Sequence, residues 1–182
     1  DSLVFEVLAW TPSTNGAVKG PAFQMLIPNR PTQAELTAYL DSIKDKVRGS
    51  IVFYGNPGRV PVNFEPPSKR LADDVAKRRF DPNQQQQSPQ QQFTPPTPRP
   101  GQLNNQQLNE QVNKFLIDNG VLVRVNDAGR EHGQIRAFSN STYDPAKVVP
   151  TIVMRNEDFG RIVRLVQGGR RVELEFDIRN KI

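Results

Sequence analysis

The chain has no cysteine and a single histidine, His132. The first absence removes disulfide staples, thiolate zinc sites and thiol nucleophiles. The second leaves no pair of imidazoles for a zinc site, and the HExxH pattern is missing. No GxSxG turn, GxGxxG loop or phosphate-cradling lysine loop occurs either. No apolar run approaches the roughly 18–20 residues that a membrane-crossing helix needs. Apolar residues fill only 36% of the 182 positions, so part of the chain is expected to stay outside a packed core. The net charge of +5 is mild. Its Lys and Arg are interspersed with acids, which reads as a solvated surface. No leader peptide is visible in DSLVFEVLAW, and the chain runs out on a strand-like segment. Both ends look cut, so a fragment of a longer protein is expected.

What is present is best defined at the C-terminal end. Thr151–Met154 is a short β-branched run after Val149-Pro150. Asn156 is suited to cap a helix, with Glu157 and Asp158 in its first turn, where the dipole favours negative charge. Phe159, Ile162, Val163 and Val166 fall at i, i+3, i+4 and i+7 on one apolar face. Gly168-Gly169 supply a C-terminal stop. Val172, Leu174, Phe176 and Ile178 then alternate with charged residues, as in a strand with one buried face.

Earlier, Leu3–Trp10 and Ala22–Ile27 read as strands separated by a loop over Thr11–Gly20. A helix follows from Pro31 or Thr32 to Arg48, with Leu36, Leu40 and Ile43 in a stripe and Tyr39 beside it. Ser50–Tyr54 is a buried strand, and Gly55–Pro67 a Gly- and Pro-rich loop. Lys69–Phe80 reads as a helix with Leu71, Val75 and Phe80 on one side. The stretch 81–103 is a Gln/Pro-rich insertion without periodicity, expected to be extended, with PPTPRP as a faint SH3-type ligand. Asn104–Asn119 is an amphipathic helix carrying Leu108, Val112, Phe115 and Leu116. Val121–Val125 and Gln134–Phe138 complete the expected strands.

None of this spells out chemistry. A lone loop histidine reads as solvent-exposed. The adjacent carboxylates Asp73/Asp74 and Glu157/Asp158 do not face one another on a helix. Glu173 and Glu175 lie on the wet side of a strand. Basic residues of Lys69–Arg79 are mixed with acids, and no aromatics interleave with them as a single-strand platform requires. The expected site is therefore empty: no catalytic, cofactor-binding or metal-ligating residue, no nucleic-acid partner, and no enzyme in this chain alone.

Four motifs in order nevertheless point to a family. VPTIVMRNEDFGRIVRLVQGGRRVELEFDI (Val149–Ile178) resembles the end of a protease-associated (PA) domain. VRGSIVFYG (Val47–Gly55) is similar to its "GKIVLV" strand. The Asn104–Asn119 helix with GVLVRVND looks like its helix and following strand, and Ala9–Pro21 resembles its start in bacterial M28-type zinc peptidases. The resemblance implies an α+β, β-rich fold: a swivelling β/β/α domain, either a sandwich or an open barrel with flanking helices, spanning 1–182 as one domain. It implies a non-catalytic accessory role in a secreted, periplasmic or cell-envelope exopeptidase (an aminopeptidase or carboxypeptidase), shaping substrate access or binding proteins. Two zinc ions would sit in the parent's catalytic domain, which would be this chain's partner, along with peptide or protein substrates. The alternative is a stand-alone module binding peptides or proteins through the Thr11–Gly20 and Gly55–Pro67 loops and the insertion.

Overall fold

A computed structural model of the chain describes residues 3–61, 72–81 and 99–181. Those before residue 62 and after residue 99 form one unit, and those between form another. The larger unit is built on one six-stranded sheet. Its strands are β1 (Phe5–Val7), β2 (Val18–Met25), β3 (Ile51–Tyr54), β4 (Val123–Asp127), β5 (Thr151–Met154) and β6 (Glu173–Phe176). Their order is β1-β5-β4-β3-β2-β6. The strands β2 to β5 run parallel, and β1 and β6 flank them antiparallel. The helices are α1 (Gln33–Val47), α2 (Asp73–Arg79), α3 (Asn105–Asp118) and α4 (Asn156–Gln167), with a 3-10 turn at Pro145–Lys147. The β-rich α+β expectation holds, in the form of a single curled sheet.

Alternation along the central strands makes the two sheet faces different. Ile51, Phe53, Val123, Val125, Ile152 and Met154 are buried with Phe159, Ile162 and Val163 of α4. Val52 and Met25 point the other way, into Leu36, Leu40, Ile43 and Val47 of α1 and Val112 and Leu116 of α3. Each such side chain contributes about 1.5–3 kcal/mol by leaving water. Both helices of the second face start with a capping box. Thr32 Oγ1 accepts from Glu35 N at 3.3 Å while Glu35 Oε2 accepts from Thr32 N at 2.7 Å. Asn104 and Gln107 exchange the same pair of bonds at 2.8 and 3.0 Å, so each box satisfies N–H groups that a helix start leaves orphaned.

The curl has a local cause in β2. Its second half pairs parallel with β3 (Ala22 opposite Ile51), and its first half pairs antiparallel with β6 (Val18 opposite Phe176). The change of partner falls at Gly20-Pro21. Proline lacks the ladder donor, and a Cβ at Gly20 would strike the Gly49 carbonyl oxygen. The expectation of a loop as far as Gly20 is corrected here: Val18, Lys19 and Gly20 already belong to the strand. Gln134–Phe138 is also corrected, being irregular and tied to its surroundings by an Ala9–Ser139 bridge. Its Arg136, Ala137 and Phe138 are exposed, so its alternation serves no buried face. The flanking strands β1 and β6 are shorter than Leu3–Trp10 and Val172–Ile178.

The α4 start differs too. Arg155 stands at the N-cap without a side-chain capping bond, and Asn156 is the first helical residue. At the other end Gly169 takes the left-handed stop, with φ 74°. In the smaller unit α2 buries none of its residues, and Val75 and Phe80 of the expected apolar side are exposed. Residues 82–98 of the expected insertion and Lys69, Arg70 and Leu71 lie outside the described residues.

Candidate binding surface

Open sheets with parallel strands tend to present ligand sites beyond the strands' C-terminal ends, where successive connections part to opposite faces. Here that rim is formed by Tyr54-Gly55 after β3, Asn126-Asp127 in β4 and Met154-Arg155 after β5, with Tyr54 in register with Asn126. Beside it lies a cleft of about 510 Å³, lined among others by Leu26, Pro31, Tyr54, Asn56, Leu103 and Leu108. Its walls come from the β2–α1 connection, the end of β3 and the start of α3. Tyr39 of α1 braces that connection by accepting the Leu26 N–H at 2.7 Å. Burial pushes the Tyr39 phenol pKa up; the Leu26 bond opposes this and the neighbouring Tyr54 adds to it.

The α1/α3 face carries a cation under this rim. Arg124 lies over the Tyr54 ring, 4.0 Å from its centroid. Its Nε donates to Asn126 Oδ1 at 3.0 Å and its Nη1 to Asn113 Oδ1 at 3.2 Å. Asn113 is buried on α3 and passes the link on, donating from Nδ2 to Ser141 Oγ at 3.0 Å. Burial holds the Arg124 pKa below the usual guanidinium value, against a small opposing effect of Tyr54. Strand register explains the location: Arg124 stands between Val52 and Thr151, on the side of the sheet away from α4.

On the opposite face, the rim is tied by Asp127. Its Oδ2 accepts from Gly58 N at 2.5 Å and from Asn156 Nδ2 at 2.9 Å. Asn156 also donates to Gly58 O at 2.9 Å. The residue expected as a helix cap thus joins the loop after β3 to the end of β4. Asp127 Oδ1 is buried without a hydrogen-bond partner. One turn into α4, Asp158 is buried as well, accepting from Arg155 Nε at 2.6 Å, Arg155 Nη2 at 3.1 Å and Val4 N at 3.0 Å. Its burial raises the carboxyl pKa, but those two donors and the charges of Arg155 and Arg161 outweigh this and hold it below the usual range. Sequence reading saw only a favourable first-turn charge there.

The other singled-out residues stay apart. His132 is exposed in its loop, with φ 57°. Asp74 pairs along α2 with Arg78 at 2.7 Å. Glu157 accepts from Gly133 N at 3.0 Å, and Glu173 pairs with Arg171 at 3.0 Å. Among the described residues no group of three or more His, Asp or Glu side chains stands close enough to hold a metal ion. No helix of the described residues is long and apolar enough to cross a membrane.

A second surface was not anticipated. Trp10 is 44% exposed in a left-handed conformation, φ 63°, and meets the ring of exposed Tyr143 edge-on at 5.7 Å. Phe138 is exposed nearby in sequence, covered in part by Arg136.

No protein-family model matches the chain, and no curated protein matches it. A fold match exists. The chain is similar to an aminopeptidase from Aneurinibacillus sp. strain AM-1, with a TM-score of 0.52 and 7% sequence identity, over 98% of this chain. The chain spans 28% of that enzyme's length. At this identity the likeness concerns the fold: this chain is folded like one part of an aminopeptidase.

Proposed function

We propose that this chain is a protease-associated domain: a non-catalytic accessory domain of a secreted, zinc-dependent M28-type exopeptidase. In this reading it shapes access to the active site or contacts protein substrates. The observation that carries it is the likeness of nearly the whole chain to a minor part of an aminopeptidase. The motifs that resemble a protease-associated domain add support. They fall, in chain order, on β3, on α3 with β4, and on β5 through α4 to β6. The two zinc ions of such an enzyme do not fit the described residues here, which offer no ligand group. They belong to the catalytic part, and no step of hydrolysis is assigned to this chain.

The test is to read the source transcript past the codon for Ile182 and before that for Asp1. A flanking domain with His, Asp and Glu ligands at bimetallic spacing is expected. Purified chain that cleaved aminoacyl anilides in the presence of zinc would overturn the reading. A stand-alone peptide-binding module is the second reading, favoured by the cleft between Leu26 and Leu108. It predicts a transcript with no peptidase domain.

A further inference from the structure

Arg124 is a half-buried cation with no anion beside it among the described residues. No carboxylate among the described residues pairs with it: its polar partners are the neutral side chains Asn126 and Asn113, and its one ring contact is Tyr54. Taking a guanidinium out of water without a counter-charge costs several kcal/mol. Neutral amides and a ring face offset part of that, while a carboxylate is the usual means of offsetting the rest. Arg78, Arg155, Arg171 and Arg179 each have a carboxylate within 3.0 Å.

Part of the group is unused. Arginine has five N–H donors in a fixed fork. Nε and Nη1 are engaged, whereas Nη2 donates to none of the described residues. Nη2 is also not among the side-chain atoms sealed from solvent without a partner, and Arg124 as a residue is half-buried. The free edge of the fork is therefore not fully sealed from solvent.

From this we infer an anion-binding site in which Arg124 Nη2 receives a carboxylate at the rim of the sheet, flanked by Tyr54, Asn113 and Asn126. A carboxylate suits it on two counts. It is planar, so it matches the edge of the guanidinium, and its single charge balances a single cation. The inference does not depend on the peptidase reading. It stands for an accessory domain or a free-standing module alike.

The test titrates the whole chain with N-acetyl-Ala-Ala and with its C-terminal amide, following the side-chain amide resonances of Asn113 and Asn126 by NMR. The acid is expected to shift both resonances saturably, and the amide is not. Acetate alone distinguishes the sources: an equal effect of acetate assigns the site to small free acids, and a weaker one to peptide C-termini. Arg124→Gln should weaken binding by about tenfold or more, the usual worth of a charge-assisted bond. Arg124→Lys keeps the charge but loses the fork, and should fall between the two. Should Arg124→Gln fail to fold, the acid–amide comparison on the unaltered chain decides alone. Equal responses to acid and amide, or equal responses of the unaltered chain and Arg124→Gln, overturn the proposal.

Discussion

The two faces of the sheet obey different rules. Against α4, the central strands present Ile51, Phe53, Val123, Val125, Ile152 and Met154, all buried and all apolar. Against α1 and α3, the same strands present Val52 and Val153 but also Tyr54, Arg124, Asn126 and Thr151, so apolar packing is interrupted by a polar network. One face maximises area removed from water. The other gives up part of that gain and places side chains with defined hydrogen bonds at the rim. The difference teaches where to look in a chain without a catalytic signature: at the strand positions where binary patterning is broken inside the fold.

The largest effect should come from the apolar face. Phe159 is fully buried, with its ring 5.1 Å from that of Phe53. Phe159→Ala leaves a cavity among residues that cannot readily collapse, and should cost about 3–5 kcal/mol. Urea unfolding of the two proteins measures this. A loss under about 1 kcal/mol would mean that α4 is not the main stabiliser of that face.

Asp158 comes next, since it joins α4 to the residues before β1. Asp158→Asn weakens its bonds to Arg155 and Val4, and should cost about 1.5–3 kcal/mol near neutral pH. The pH dependence has a fixed sign. Because the folded carboxyl titrates below the usual range, the unfolded chain takes up the proton first as pH falls. The stabilisation is full above the unfolded value of about 3.9, and is lost as pH drops through the lower folded value. The stability gap between the unaltered chain and Asp158→Asn should therefore close on acidification. A gap independent of pH would show that the ionised carboxylate is not what the fold uses.

How much of this could be read from the sequence depended on the range of the interactions. The stripe Leu108, Val112, Phe115, Leu116 and the alternation Val172 to Ile178 are local, and a helix and a shorter strand formed within them. Gly20-Pro21 misled because the residues that break a strand locally are those that let β2 change partners. Gln134–Phe138 misled in the opposite sense, since alternation without a neighbouring strand makes no ladder. The Arg124 network was invisible. In VLVRV an arginine looks like the wet side of a strand, and Asn113 and Tyr54, which hold it, come from other elements. Asn156 and Asp158 both looked like helix-start residues because their true partners, Asp127, Gly58 and Val4, are distant in the chain.

Gly20 tests the bend itself. A Cβ there would meet the Gly49 carbonyl oxygen and lie 2.9 Å from Leu122 Cδ1. The Gly49 backbone is fixed by its N–H bond to Gly120 O at 3.0 Å, so the collision cannot be relieved by a rotamer change. Gly20→Ala should cost about 1–3 kcal/mol by overpacking. Amide exchange should quicken at the β2–β6 pairing before the β2–β3 pairing. An unchanged midpoint would show that the curl does not require a glycine there.

The smallest expected effect separates two asparagines at helix starts. Asn104→Ala removes the side-chain acceptor for Gln107 N, and should lower stability by about 1 kcal/mol, with fraying confined to the first turn of α3. Asn156→Ala removes no cap, because Asn156 is already inside α4. It instead deletes donors to Asp127 Oδ2 and Gly58 O, and leaves Asp127, whose Oδ1 is already without a partner, with Gly58 N as its remaining donor among the described residues. The expected result is an unchanged helix signal in circular dichroism, with faster amide exchange at Gly58. If the exposed end of α4 frayed while Gly58 stayed protected, Asn156 would be acting as the cap its sequence position suggests. The rim would then not depend on the bond between Asp127 and the start of α4.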